Sequence, residues 1–229
     1  MSLQKLNPEI PKGHLEKDSW VRLIVILEEA NLETTKSKRG IEIINCDDHQ
    51  KTITGLGKKF EDYRPDVTHQ CLLALFDSPL AKAGLLQVFI RTNQKVLIEI
   101  NPHIKVPRTF SRFSSFMAQL LVKLKVRSSN GSTTLGSVIK NPVTDYLPMG
   151  VNIIGTSKLA PLVNINDWAK SLGVEKKPLV FVIGAVSVGN PGMENDLVKD
   201  NISISKHGLS AACVCGKVCT AFEKLWGVV

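Results

Sequence analysis

Cys213, Cys215 and Cys219 crowd into the stretch DNISISKHGLSAACVCGKVCTAFEKLWG, Asp200 to Gly227, a grouping that invites a metal site or a nucleophilic thiol. Their spacing argues against both. On a helix, Cys213 and Cys215 lie about 200° apart and cannot share an ion, and only Cys215 and Cys219 occupy one face. No C-x-x-C pair occurs in the chain. The three read as small packing residues, and no metal is expected.

The turns around them suit a ligand held by main chain. In IGAVSVG, Gly184 directly follows an apolar strand and Gly189 comes five residues later; ISIS runs into KHG before Leu209 and Ser210. Glycine lets backbone approach a ligand closely, and Ser210 is an N-cap whose helix start presents free N–H groups. Ordinary strand-to-helix turns explain each loop equally well when taken singly. Other chemistries lose ground. GLGKKF, from Gly55, is too short for a phosphate-binding loop, no G-x-G-x-x-G follows a strand, and no H-x-E is paired with P-C-x-x-C.

The net charge of +8 is unevenly spread. Between Asn101 and Thr144 stand Lys105, Arg108, Arg112, Lys123, Lys125, Arg127 and Lys140, with no Asp or Glu. A concentrated surplus of this kind is the footprint of a polyanion, with nucleic acid the leading class. On a helical wheel Phe110, Phe113, Met117, Leu120, Leu121 and Leu124 fall on one side, with Arg108 and Arg112 opposite. Two arginines four residues apart, with no carboxylate nearby in sequence, repel each other mildly. An RNA or DNA phosphate over that face relieves the repulsion, and the planar guanidinium suits it better than an ammonium.

The elements that position these residues alternate between strand and helix. WVRLIVIL (Trp20 to Leu27) and IEIINC (Ile41 to Cys46) read as strands, and HQCLLALFDSPLAKAG (His69 to Gly84) as a helix. LQVFI and VLIEI form a hairpin around RTNQK, and a long helix, TFSRFSSFMAQLLVKLKV, follows Pro107. VIKNP, VNIIG, a short INDWAKSLG helix, the buried strand LVFVIGA, a VSVGNPG loop, ISIS and a final helix complete the pattern. Continuous apolar strands predict an α/β fold with a mostly parallel sheet covered by helices, and no internal repeat or long linker is apparent.

At 229 residues and 43% apolar composition the chain is expected to be globular, with a core of its own. No apolar run reaches the roughly 18 to 20 residues of a membrane span, and MSLQKLNPEIPKGHLEKD has no apolar signal region, so a soluble, non-secreted protein is expected. Five cysteines, an odd number, are expected as free thiols.

Five segments taken together, RPDVTHQCLLALFDSPLAKAGLLQVFI, VLIEINPHIKVPRTFSRFSSFMAQLLVKL, VIKNPVTDYLP, FVIGAVSVG and ISISKHGLSA, resemble in the same order the ribosome-biogenesis pseudouridine N1-methyltransferase family. This is the essential nucleolar protein family of the SPOUT superfamily. The likeness runs from about Trp20 onwards, which sets residues 1–19 apart as a segment of unknown role and makes residues 20–229 one methyltransferase domain. The resemblance implies an S-adenosyl-L-methionine-dependent enzyme that methylates N1 of a pseudouridine in small-subunit ribosomal RNA. It further implies a homodimer, a C-terminal trefoil knot that departs from the rule that chains do not thread, and work beside pre-ribosomal assembly factors. The nucleolus of a eukaryote, or the cytoplasm of an archaeon, is the implied location. A non-catalytic, rRNA-binding assembly factor is the alternative that the basic helix alone supports.

By match to the family's cofactor loops, the ligand is expected at Thr156, Gly184, Gly189 and the run Ile204, Ser205, Lys206, His207, Gly208 and Leu209. By match to its RNA-contacting positions, Arg64, Lys105, Arg108 and Arg112 face the substrate, and Asp66 holds Arg64; capping of the following helix is the other role open to Asp66. The family usually has arginine at Lys105, which here keeps the charge and loses the fork, and Tyr-Pro at His207 and Gly208, which here removes a fixed φ. No side chain is assigned as catalytic. Methyl transfer from a sulfonium asks chiefly for positioning, and pairing with Arg64 makes Asp66 a poor base.

Overall fold

The run Leu23–Leu27 has no polar face, so it must be covered on both sides. In the computed structural model, which describes residues 18–38, 40–173, 177–193 and 195–228, it forms the middle of strand β1, Leu23–Ala30. Leu23, Val25 and Leu27 point into one apolar cluster, and Ile24 and Ile26 into another on the opposite face. Parallel partners flank it, β4 (Leu86–Thr92) on one edge and β9 (Leu179–Gly184) on the other. Trp20, expected in this strand, lies before it, its ring under the guanidinium of buried Arg22 at 4.4 Å. Residues 1–17, most of the segment set apart by sequence, lie outside the described residues.

Beyond β9 the sheet continues in parallel with β8 (Ile153–Thr156) and β10 (Asp200–Ile202). Beyond β4 it turns antiparallel, through β5 (Leu97–Ile100), β7 (Thr134–Ile139) and β6 (Lys125–Arg127). The order is β10-β8-β9-β1-β4-β5-β7-β6, five parallel strands with an antiparallel flank, and the hairpin around RTNQK is the junction. A separate ribbon pairs β2 (Thr34–Ser37) with β3 (Gly40–Ile43). The strand expected from Ile41 to Cys46 stops early because Asn45 Oδ1 accepts from the Asp47 and Asp48 amides at 3.0 and 2.8 Å and turns the chain. The ISIS strand likewise ends at Ile202, where Ser203 N–H leaves the ladder for Pro161 O.

Among the described residues the main helices are α1 (Gln50–Gly55), α2 (Pro65–Phe76), α3 (Pro79–Lys82), α4 (Phe110–Lys123), α5 (Ile165–Ser171) and α6 (Ala211–Trp226). The single helix expected over His69–Gly84 is in fact two. Pro79 has no N–H to give Leu75 O, and the Ser78 hydroxyl fills that place at 2.6 Å while also capping Ala81 N–H at 3.1 Å. The helix expected after Pro107 is also shorter at both ends. Thr109 is its N-cap, leaving Arg108 outside, and Leu124 adopts φ 60, a left-handed C-cap that swings it out to 58% exposure and lets Lys125 begin β6. Of the rest of its apolar stripe, Phe113, Met117 and Leu120 are buried as the wheel requires, and Phe110 and Leu121 are half-buried against the same cluster.

Candidate functional site

The strands β8, β9 and β10 run parallel, so their C-terminal ends lie along one edge of the sheet, where open α/β folds place ligands. The chain leaves β9, crosses the end of β8 and enters β10 on its far side. The crossing is close: a Cβ on Gly192 would lie 2.6 Å from Thr156 O, and one on Gly155 would lie 2.5 Å from Gly192 O. Beyond β10, Ser203 exchanges hydrogen bonds with the β8–α5 connection, donating to Pro161 O and accepting from Val163 N–H, both at 2.8 Å.

These loops enclose a cleft of about 620 Å³, a size suited to a nucleoside-like ligand. Thr156, Gly184, Gly189, Ile204, Ser205, His207, Gly208 and Leu209 all line it; Lys206 is exposed and does not. Its floor is bare for a reason. A Cβ on Gly184 would sit 2.8 Å from the Pro191 ring, and Gly189 has φ +110, a conformation that side chains rarely adopt. Gly208 meets nothing within 4 Å and has no such φ, while His207 N–H is held by Ser205 Oγ at 3.0 Å, so a serine turn orders the loop where the family usually carries Tyr-Pro. Ser210 caps α6 through Cys213 N–H at 3.2 Å, and Ala211 and Val214 complete that wall.

Sequence reasoning passed over Ser157, Lys158, Asn190 and Pro191, which also line the cleft. Ser157 Oγ donates to Asn190 Oδ1 at 3.1 Å and accepts from Leu159 N–H at 3.1 Å, pinning the two crossing loops together. Their only signal was nearness to the glycines.

Cys215 and Cys219 are buried on the inner face of α6 and Cys213 is exposed on the outer. The neighbouring Cys71 thiol and burial hold Cys215 protonated far above the usual thiol range, and burial pushes Cys219 to about 12. Both are neutral packing groups at working pH.

The cationic residues gather around α2 and the entry to α4. Arg64 Nε and Nη2 donate to Asp66 Oδ1 and Oδ2 at 2.8 and 2.7 Å, and no side chain caps this helix. The Arg64 hydrogen bond holds the Asp66 carboxyl below the usual carboxylate range. Arg108 is not left to repel Arg112: both its terminal nitrogens donate to Asp77, the C-cap of α2. Lys105 and Arg112 are exposed. His69 joins the two elements, its Nε2 2.7 Å from Pro107 O and its ring stacked on Phe113 at 4.5 Å. That buried histidine carries no sequence signal of its role. The cleft and this face meet where Ser187 Oγ, in the cleft wall, donates to Glu61 O, three residues before Arg64.

A parallel sheet whose strand-end loops cross and line one cleft defines an α/β protein with a ligand site at the C-terminal ends of its strands. The family model described as EMG1/NEP1 methyltransferase matches residues 25–223, and the chain belongs to that family. It is similar to the human ribosomal RNA small subunit methyltransferase NEP1, 46% identical over 98% of this chain and 90% of that one. The Candida albicans protein of the same description is 44% identical over 97% of this chain and 86% of that one. Among solved structures, Archaeoglobus fulgidus Nep1 bound to S-adenosylhomocysteine shares the fold, with a TM-score of 0.67 at 19% identity, covering 90% of this chain and 100% of that one.

Proposed function

We propose that the protein transfers a methyl group from S-adenosyl-L-methionine to N1 of a pseudouridine in small-subunit ribosomal RNA. The observation that carries this reading is the bare cleft at the β8, β9 and β10 ends in a chain of this family. The human and Candida relatives are described as small-subunit rRNA methyltransferases, and the archaeal one holds the demethylated cofactor.

The residues present fit such a cofactor. Gly184 lines the cleft and leaves no room for a side chain, since a Cβ there would lie 2.8 Å from the Pro191 ring. Thr156, Gly184, Gly189 and the Ile204–Leu209 loop, apart from the outward-facing Lys206, would hold it, and when bound it supplies a methyl already activated on sulfonium sulfur. The chain's part is to orient and to exclude water. Arg64, fixed by Asp66, with Lys105, Arg108 and Arg112, holds the RNA, and pseudouridine has a free N1–H because its glycosidic bond is to carbon. No side chain is assigned as general base.

We read the region from Trp20 onwards as one domain, with the passage of residues 202–210 by the β8–α5 connection as a trefoil knot; the Ser203 hydrogen bonds support that threading. A homodimer is the expected unit, tested by ultracentrifugation at micromolar concentration. Action beside pre-ribosomal assembly factors, in the nucleolus if the source is a eukaryote, is part of this reading, supported by the relatives' description as small-subunit rRNA methyltransferases. The test is a small-subunit rRNA hairpin made with pseudouridine or uridine at the target. One added methyl mass on the pseudouridine form alone is expected; RNA binding with no methyl gain would make the protein a non-catalytic assembly factor.

A further inference from the structure

We infer that Glu28 is a positioning residue, a clamp that holds both ends of the loop walling the cofactor cleft. What fills that cleft rests on the methyl-transfer reading above; the clamp itself rests on hydrogen bonds of the chain alone.

The pairing of β1 with β9 runs without a break to Glu28, so strand alternation sends its side chain to the face of Ile24 and Ile26. That face is apolar, and Leu197 and Val198 pack on it as well. Glu28 is 2% exposed there. A well-packed apolar side chain would serve the sheet at least as well as a buried ion pair, so the carboxylate points to something it must hold. Its Oε1 accepts from Arg91 Nε, on neighbouring β4, at 2.8 Å, and its Oε2 accepts from Asn195 Nδ2 at 3.0 Å. Asn195 is also buried, and its Oδ1 accepts from Leu197 N–H at 3.0 Å, so the amide cannot turn over without losing that bond.

The main chain of the same residue takes the other end. Ala185 N–H, the first amide after β9, donates to Glu28 O at 2.8 Å. Glu28 thus meets the crossing segment where it leaves β9 and again at Asn195, whose carbonyl accepts from Val198 N–H at 3.0 Å as the chain turns towards β10. Between these two points, Val186–Pro191 wall the cofactor cleft. The ties within the span, Ser187 Oγ to Glu61 O and Ser157 Oγ to Asn190 Oδ1, are less buried than those at its ends. Holding two donors from two elements takes two acceptor oxygens; a glutamine has one.

Reversing the pair tests the clamp. In Glu28→Gln the new amide faces the Asn195 amide, donor against donor, and in Asn195→Asp two carboxylates face each other. In the double variant donor and acceptor have changed places, while Arg91 Nε and Leu197 N–H each keep an acceptor. Each single variant is expected to lower S-adenosylhomocysteine affinity about tenfold or more and to raise KM for S-adenosyl-L-methionine in step, with hairpin RNA affinity unchanged. The double variant is expected to return to within about threefold of wild type. Unchanged cofactor affinity in the single variants, equal weakening of cofactor and RNA, or no recovery in the double overturns the proposal. Should Glu28→Gln not fold, Asn195→Ala reads the same bond from the loop side.

Hydrogen exchange at the amides of Val186–Met193, followed without ligand, is the second readout. Faster exchange in the single variants and restored protection in the double are expected, and unaltered exchange overturns the clamp. A wild type that binds no S-adenosylhomocysteine would remove the methyl-transfer reading, and exchange would then decide the clamp by itself.

Discussion

Asp66 grips Arg64 as a fork, two parallel hydrogen bonds of 2.8 and 2.7 Å between side chains two residues apart at the start of α2. Such a pair fixes direction as well as charge. Asp66→Ala and Arg64→Ala should therefore impair the same step, lowering turnover more than RNA affinity and sparing cofactor affinity. Single-turnover rates set against hairpin dissociation constants check this, and a variant with weakened cofactor binding would contradict it.

The same pair should show in acid. Asp66 has a folded-state pKa below its unfolded value of about 3.9, so its contribution is whole above that pH and is lost as pH falls through the folded value. The stability gap between wild type and Asp66→Asn should be widest near neutrality and close below about pH 4. Urea titrations at several pH values measure it.

Arg108 is paired with Asp77, and an RNA phosphate at Arg108 would have to compete with that carboxylate. Asp77→Asn should free it and tighten RNA binding, with little change in stability, since the pair is exposed. Replacing both Arg108 and Arg112 with Ala should act in the opposite sense, flattening the salt slope by about 0.7 per lost phosphate contact to single-stranded RNA and affecting all sequences alike. Binding isotherms across salt decide, and an unchanged slope would make this an ordinary solvated face.

Gly184→Val should close the cofactor cleft. Its Cβ has only 2.8 Å to the rigid Pro191 ring, so the loop must move. Wild type at about 100 times the dissociation constant of S-adenosylhomocysteine should gain roughly 2.7 kcal/mol, and the variant nothing. Thermal melts with and without ligand report both.

Phe113 is fully buried and carries the stack with His69 that holds the Arg108 segment to α2. Phe113→Ala should cost about 3–5 kcal/mol in denaturant unfolding. His69→Gln, which keeps a group able to reach Pro107 O, should cost less and weaken RNA binding before it weakens cofactor binding.

Much of this was legible in the residues because the signal was local. The apolar run of β1, the RTNQK hairpin, the Ser210 cap and the glycines of the cleft each announce themselves within a few positions. What escaped depends on partners distant in the chain. Asp77 neutralises Arg108 from 31 residues away, so a basic block read from sequence alone looked more repulsive than it is. The Glu28, Arg91 and Asn195 cluster joins three elements, and Glu28 in sequence is one more charge at a strand end. Strand β2 is short and polar, without the apolar alternation that marks a strand, so only its partner β3 was legible, within Ile41 to Cys46. The break at Ser78 and Pro79 was hidden by the apolar period on either side of it, which reads as one continuous helix.

Leu23 pairs with Leu179, so β1 is made first and waits about 150 residues for one of its two neighbours. Its other edge is taken earlier by β4, leaving on the nascent chain a row of unpaired amides and carbonyls along an apolar strand. Parallel pairing over such a separation is slow, because loop closure is paid before contacts reward it. The centre of the sheet is thus the part of the molecule most exposed to misassembly during synthesis, and folding on the ribosome has to shield that edge until β9 emerges.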